Sequence, residues 1–251
     1  MISATKLTKS FGSLLAVDHV DLQVNSELFV FLGPNGAGKT TTIKMLTGLL
    51  RPDFGGVKIN GVDLSADPVL AKRQFGYAPE QPTLYEKLTA REFVDFVINI
   101  YSAPYKKSLD RMEQLFDIFE INERADDIIE DFSNGMKKKV SLIAALVHKP
   151  KILFLDEPTA SLDPKAARNL KDILRGFVDQ GGAVFMTTHI LETAEQMCDR
   201  IGIINKGRLC AMGSLEALQR EQGRNLSLEA LFLKLTGEPY SAKVEQFLQG
   251  R

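Results

Sequence analysis

The chain has 251 residues, 44% of them hydrophobic and 25% charged, with a formal net charge of -1. That length allows one large core or two smaller ones, and the near-zero charge excludes a global field that would recruit nucleic acid or an acidic membrane surface. Two cysteines, Cys198 and Cys210, are too few for a disulfide framework and fit a reducing cytosol, with a single bond between them left open.

Residues from Ile2 to about Leu32 read as strands, because Val20, Leu22 and Val24 alternate with polar neighbours. The apolar run Leu28 to Leu32 leads into Gly33-Pro34-Asn35-Gly36-Ala37-Gly38-Lys39-Thr40-Thr41, followed by a helical pattern to Leu49. Arg51 to Gly56 reads as a loop, and Val57 to Asn60 as a short strand closed by the Asn60-Gly61 turn. Asp67 and Pro68 fit the cap and first residue of a short helix, and Phe75 to Ala78 is a strand that stops at Pro79.

From Thr89 to about Val147 the pattern turns helical. Thr89-Ala90-Arg91-Glu92 fits a capping box, and Leu109, Met112, Phe116 and Phe119 give the next helix one buried face. Ser133 is placed to cap a third helix that ends near His148. Strand and helix then alternate again. Lys151 to Leu155 is a strand, Asp163-Pro164 opens a helix closed by Gly181-Gly182, Ala183 to Thr187 is a strand, and Ile190 to Met197 a helix. Ile201 to Ile204 and Arg208 to Met212 form a hairpin across Asn205-Lys206-Gly207. The tail carries Ser-Leu-Glu-Ala-Leu twice, at 214–218 and 227–231, read as two small amphipathic helices.

The chemistry starts at Gly33 to Thr41. Strand, glycine-rich turn and helix form the setting of a phosphate-binding loop. Asn35, Gly36 and Gly38 let backbone N–H groups turn around an anion, and the helix beginning near Thr41 adds the positive end of its dipole. Lys39 is placed to reach the terminal phosphates of a nucleoside triphosphate, and the Thr40 hydroxyl to ligate Mg²⁺. Downstream, Lys151-Ile152-Leu153-Phe154-Leu155-Asp156-Glu157 is an apolar strand ending in two acids. Its carboxyl end lies beside the phosphates in such folds, making Asp156 a metal ligand and Glu157 a general base for water.

Three further segments complete a pattern: Asp131-Phe132-Ser133-Asn134-Gly135-Met136-Lys137, Ala160-Ser161-Leu162-Asp163, and Thr187-Thr188-His189. In this order and spacing, from Phe11 to about Leu218, the chain resembles the nucleotide-binding domains of the ATP-binding cassette (ABC) family. The resemblance implies an α/β P-loop fold of the ABC type, with a mixed and mainly parallel sheet, an N-terminal antiparallel β region and an inserted helical subdomain. The expected ATPase domain spans 1–218, with a core at 1–80 and 146–218, a helical subdomain at about 81–145, and a helical tail at 219–251.

The resemblance further implies two cassettes dimerised head to tail around two ATP molecules, each with Mg²⁺. Ser133 and Gly135 of one chain then contact the γ-phosphate held by the other. Ser161 and Asp163 match the loop that links the two sites, and His189 the histidine that bonds the γ-phosphate and orients Glu157. Phe11 matches the ring that stacks on adenine, with Val17 beside it. Glu80 stands where the family usually has glutamine and Gln81 follows, so both are candidates. The signature departs from Leu-Ser-Gly-Gly-Gln: Asn134 is expected to tolerate unusual backbone angles, and Met136 removes a polar contact. Lys137-Lys138-Lys139 reads as a solvated helix face, not a nucleic-acid site.

Function divides between two classes. The first is the ATPase subunit of a membrane transporter. Tyr77-Ala78-Pro79-Glu80, Ser133 to Lys137 and Leu226 to Phe232 look like ATPases of bacterial ABC-2-type exporters, which move drugs, lipids, polysaccharides, ions or peptides outward. No stretch approaches the roughly 18 apolar residues of a membrane span, and Met1 to Lys6 lacks a signal peptide's apolar core. The expected partners are therefore a separate transmembrane permease and a second cassette, identical or not, with the chain cytoplasmic and peripheral at the inner face of the membrane. The second class is an ABC ATPase of DNA repair, chromosome organisation or translation, which would carry a coiled coil, a hinge, tandem cassettes or a basic stripe. A degenerate cassette that only binds ATP is disfavoured by the presence of Lys39, Asp156, Glu157 and His189.

Overall fold

The computed structural model describes residues 1–222 and 226–237. Ten strands and nine α-helices alternate among these residues. Strands β1 (Ile2–Phe11), β2 (Leu14–Val24), β4 (Phe54–Ile59) and β5 (Val62–Asp63) form an antiparallel sheet in the order β2-β1-β4-β5. Strands β3 (Leu28–Leu32), β6 (Phe75–Ala78), β7 (Ile152–Asp156), β8 (Ala183–Thr188), β9 (Arg200–Asn205) and β10 (Arg208–Gly213) form the second, in the order β10-β9-β3-β8-β7-β6. Only β10 runs antiparallel to its neighbour in that sheet; the other pairings are parallel.

The central strands are buried on both faces, which is why they read as unbroken apolar runs. Leu28, Val30 and Leu32 face one core, whereas Phe29 and Phe31 face another. The same alternation sends Leu153 and Leu155 to the first core and Ile152 and Phe154 to the second. The second core, closed by the antiparallel sheet and helix α1 (Lys39–Leu46), contains a run of rings, with Phe185 5.6 Å from Phe29 and 5.5 Å from Phe31. The first is covered by α3 (Ala90–Ile100), α4 (Tyr105–Ile118), α5 (Asn134–Val147) and α6 (Pro164–Asp179).

Local signals explain most helix ends. Thr89 and Glu92 form the reciprocal capping box at the start of α3. Asp67 caps α2 (Pro68–Lys72), Ser133 caps α5 and Asp163 caps α6, each by accepting a backbone N–H three residues on. Phe116, Phe119 and Met112 are buried as their spacing predicts, although α4 ends at Ile118 and leaves Phe119 as its C-cap. The strand expected at Val57 begins earlier, at Phe54, because β4 pairs with β1 as far as Thr8. The two Ser-Leu-Glu-Ala-Leu copies lie at the starts of α8 (Leu215–Gln222) and α9 (Leu228–Thr236), where Ser214 and Ser227 cap through Ala217 and Ala230. The rest of the expected tail, 223–225 and 238–251, lies outside the described residues.

Candidate functional site

The order of the parallel strands assembles the site. Strand β3 delivers the glycine loop, β8 next to it delivers His189, and β7 beyond β8 delivers Asp156 and Glu157. Strand β6, next to β7, delivers Glu80, so four chain segments meet at one carboxyl edge, where α/β sheets bind their ligands.

The loop itself is built for an anion. Gly38 takes φ 107°, and a Cβ there would sit 2.5 Å from the carbonyl oxygen of Ala16, so only glycine fits. As the N-cap of α1 it has no side chain to satisfy the helix's first N–H groups, which are left for a ligand. The loop is bolted from outside: Gly207 N–H donates to Ala37 O at 2.9 Å, and Asp18 N–H donates to Gly207 O at 2.8 Å.

A cavity of about 660 Å³ opens over this loop, a size suited to a nucleotide. Asn35, Gly36, Gly38, Lys39, Thr40 and Thr41 line its floor, Glu80, Glu157 and His189 one wall, and Phe11, Leu14 and Leu15 the other. The Phe11 ring is half exposed and available for stacking. A second cavity abuts the first along Thr40 and Glu80 and adds Asp156 and Gln81 to its lining. A larger groove, of about 850 Å³ between α4 and α6, has none of these groups.

At the centre, Lys39 Nζ donates to Gly33 O at 2.7 Å and Pro34 O at 3.2 Å, and lies 3.9 Å from Glu157 Oε1. Burial pushes its pKa down, with Glu157, Asp156 and Glu80 pulling the other way. Glu157 Oε1 is 2.8 Å from His189 Nδ1; an ionised carboxylate only accepts, so Nδ1 carries the hydrogen. The other oxygen, Oε2, is buried with no partner in the chain. A buried unpaired carboxylate oxygen is costly, and its partner is expected to be a ligand or water. Glu157 also takes φ 45°, a left-handed conformation unfavourable for a residue with a Cβ.

Thr187 organises both acids, a role its place in Thr187-Thr188-His189 did not reveal. Its hydroxyl donates to Asp156 Oδ1 at 2.5 Å and accepts from Glu157 N–H at 3.1 Å. The signal was there only as a hydroxyl-bearing residue inside an apolar strand, where a buried polar group needs partners.

The residues present fit a divalent hard cation. Thr40 and Asp156 offer oxygen donors on one cavity wall, and no cluster of three or more His, Cys, Asp or Glu ligands exists among the described residues. That donor set suits Mg²⁺, which keeps waters and phosphate oxygens in place of a full protein cage. Two buried ammonium groups, Lys39 and Lys138, stand against Asp156, Glu157 and the Glu80 carboxylate. A polyphosphate entering this cluster needs further positive charge.

Several expected residues lie elsewhere. Val17 is fully buried and backs Gly38 without lining the cavity; strand alternation points it into the core and gives Ala16 to the lining. Ser133, Gly135, Ser161 and Asp163 are absent from both cavities and gather together: a Cβ on Gly135 would sit 2.7 Å from Ser161 O. Asn134 is the first residue of α5 and takes no unusual backbone angles, so its tolerance is not used. Met136 packs partly buried against the first core.

The lysine run is not a solvated face. Lys137 pairs with Glu86 at 2.6 Å, Lys139 with Asp163 at 2.8 Å, and Lys138 is 1% exposed. All three charges are consumed by neighbouring segments because α5 lies in the cleft between the sheet and the other helices.

Comparison with known proteins agrees with this geometry. A family model described as ABC transporter matches residues 17–160. The linearmycin resistance ATP-binding protein LnrL of Bacillus subtilis is 36% identical over 215 residues, covering 85% of this chain and 69% of that protein. A solved ATP-binding subunit of an ABC transporter superposes with a TM-score of 0.90 at 34% identity, covering 94% of this chain and 99% of that one. A dimeric bacterial ABC transporter cassette follows with a TM-score of 0.79 at 25% identity, covering 86% and 99%. Glycine loop, paired acids, histidine and a separate Ser133–Gly135 segment thus sit on a scaffold matched almost end to end, and the chain belongs to the ABC transporter family.

Proposed function

We propose that this chain is the ATP-hydrolysing subunit of an exporter, working as a head-to-tail pair of cassettes beneath a separate transmembrane permease. One observation carries the reading: the glycine loop, Glu157 and His189 surround one cavity and Asp156 lines the one that abuts it, while Ser133 and Gly135 sit outside both. A chain so divided supplies two halves of different sites, and only a second copy, or a similar cassette, joins them. The dimeric relative and the resistance function in the LnrL name support the assembly and the outward direction.

In this reading Phe11 stacks on adenine. The N–H groups of Asn35 to Thr41 and the Lys39 ammonium hold the phosphates. Thr40 and Asp156 would hold Mg²⁺, which when bound offsets the charge on the phosphate oxygens. Glu157 takes a proton from a water as the water oxygen bonds to the γ-phosphorus and the bond to the β-phosphate oxygen breaks, releasing ADP. His189 orients Glu157 through the Nδ1 contact and turns its other nitrogen to the phosphate. Glu80, which lines both cavities, and Gln81, which lines the one with Thr40 and Asp156, are the side chains that would stand beside the metal when it is bound. Ser133 and Gly135 of the partner close the site, and Ser161 with Asp163 connect the two.

The ATPase domain is taken as 1–218, with a core at 1–80 and 146–218, a helical subdomain at about 81–145, and a tail at 219–251. No helix among the described residues is long and apolar enough to cross a membrane, so attachment to the inner face of the membrane goes through the permease. Sedimentation of Glu157→Gln tests the assembly. We expect a two-chain complex with MgATP and a single chain with MgADP; a single chain in both would sink the proposal.

A further inference from the structure

Lys138 and Asp156, each 1% exposed, are the most deeply buried charged residues among those described. The Lys138 side chain lines neither cavity, so it is not placed to touch a nucleotide. Its ammonium instead donates to Pro79 O at 2.8 Å, Glu80 O at 3.1 Å and Asp156 O at 3.0 Å. An ammonium has three N–H donors, and each is spent on a backbone carbonyl. The ladder between β6 and β7 ends at Ala78 and Leu155. Pro79 and Glu80 therefore lie just beyond β6, and Asp156, still paired with Thr187 of β8, has no ladder partner on the β6 side, where Lys138 takes over.

These carbonyls belong to the two segments that aim Glu80, Asp156 and Glu157 at the cavity. Lys138 itself belongs to α5, whose N-terminus carries Ser133 and Gly135. One side chain thus joins the two half-sites of the chain. Burying an ammonium is costly unless its donors are all satisfied, so an apolar side chain would be the cheaper way to fill this position. Burial pushes the Lys138 pKa down to about 8, with Asp156, Glu80 and Glu157 pulling it up, and the group stays largely charged at neutral pH.

We propose that Lys138 is a positioning residue that locks the ends of β6 and β7 to helix α5, keeping Glu80 and the Asp156–Glu157 pair in register with the Ser133–Gly135 segment of the same chain. The inference rests on the proposed function, in which those two groups serve different ATP molecules. When α5 moves as a second chain closes on it, the lysine carries Glu80 and the acid pair along. Loss of the side chain leaves the glycine loop untouched, so nucleotide still binds, but the acids are no longer set by the state of α5.

The test uses the full chain with Lys138→Met and Lys138→Gln, the amide keeping two N–H donors on a stem one atom shorter. MgATP affinity is measured in the Glu157→Gln background and kcat with Glu157 intact. We expect affinity within about threefold of the parent and kcat lower by about tenfold or more for Met, with Gln between Met and the parent. A folded Met variant turning over at the parental kcat overturns the proposal. So does a parallel fall of affinity and kcat, or failure of both variants to fold, which would make Lys138 scaffold alone. Equal hydrolysis rates for the parent and Lys39→Ala would instead remove the ATPase reading itself, and the inference with it.

Discussion

Thr187→Val removes one oxygen from the centre of the site and leaves its shape intact. Thr187 is fully buried, so the exchange opens no cavity. Glu157 N–H keeps a second acceptor, Thr187 O at 3.2 Å, so the loss falls mainly on the 2.5 Å bond to Asp156. A hydrogen bond to a charged group contributes about 1.5–3 kcal/mol, and the added methyl recovers at most about 0.8 kcal/mol. The net cost is then about 1–2 kcal/mol, a fall in Tm of about 2–8 °C for a chain of this size. Asp156 also loses the contact that fixes its carboxylate. The Mg²⁺ concentration for half-maximal ATPase should therefore rise about tenfold, as expected when a residue supporting a metal ligand is removed. Thermal melts and a Mg²⁺ titration of the ATPase rate read the two effects. A variant with the parental Tm and the parental Mg²⁺ dependence would refute the assignment of Thr187 and weaken that of Asp156.

Two other predictions follow from single contacts. His148 donates through Nε2 to Phe75 O at 3.3 Å, stacks on Tyr101 with ring centroids 3.7 Å apart, and keeps Nδ1 buried without a partner. Burial lowers its pKa from 6.5 to about 4, against the pull of the Phe75 and Ala144 backbone, and nearby Arg111 adds to the fall. The unfolded chain takes up this proton near pH 6.5 and the folded chain only near 4. Stability should thus decline as pH falls through that window, by up to about 3 kcal/mol in full; urea melts at pH 7 and pH 5 should read about 2 kcal/mol of it, and His148→Phe should flatten the slope. Gly76→Ala would place a Cβ 1.9 Å from Ala145 O, forcing α5 away from β6. The expected loss is about 3 kcal/mol or more, read by denaturant unfolding, and a parental midpoint would contradict the packing described.

Local structure was legible where a side chain acts on its own backbone. Thr89, Ser133 and Asp163 announce helix starts because their oxygens accept N–H groups three residues on, a relation contained in the sequence. That the glycine loop, Asp156, Glu157 and His189 meet at one edge was legible because each lies at the carboxyl end of an apolar run that reads as a strand. Strand order was not, since β3 pairs with β8 and β9, more than 150 residues away, and no local pattern encodes a parallel neighbour. Lys138 misled for the same reason. A lysine between two lysines reads as solvated until the tertiary fold brings three carbonyls to it. Val17 misled by one residue of alternation, which decides between cavity and core.

If one chain holds two halves of different sites, mixing two complementary defects restores a complete one. In the Glu157→Gln background, one chain carries Lys39→Ala and keeps its Ser133 segment, while the other carries Ser133→Arg and keeps its glycine loop. Neither alone should form a two-chain complex with MgATP, because every site it builds lacks one half. Mixed, they should form a heterodimer holding one ATP, joined through the intact loop of one and the intact Ser133 segment of the other. A Ser133→Arg chain that dimerises alone as readily as its parent, or a mixture that stays monomeric while the parent dimerises, would contradict the account.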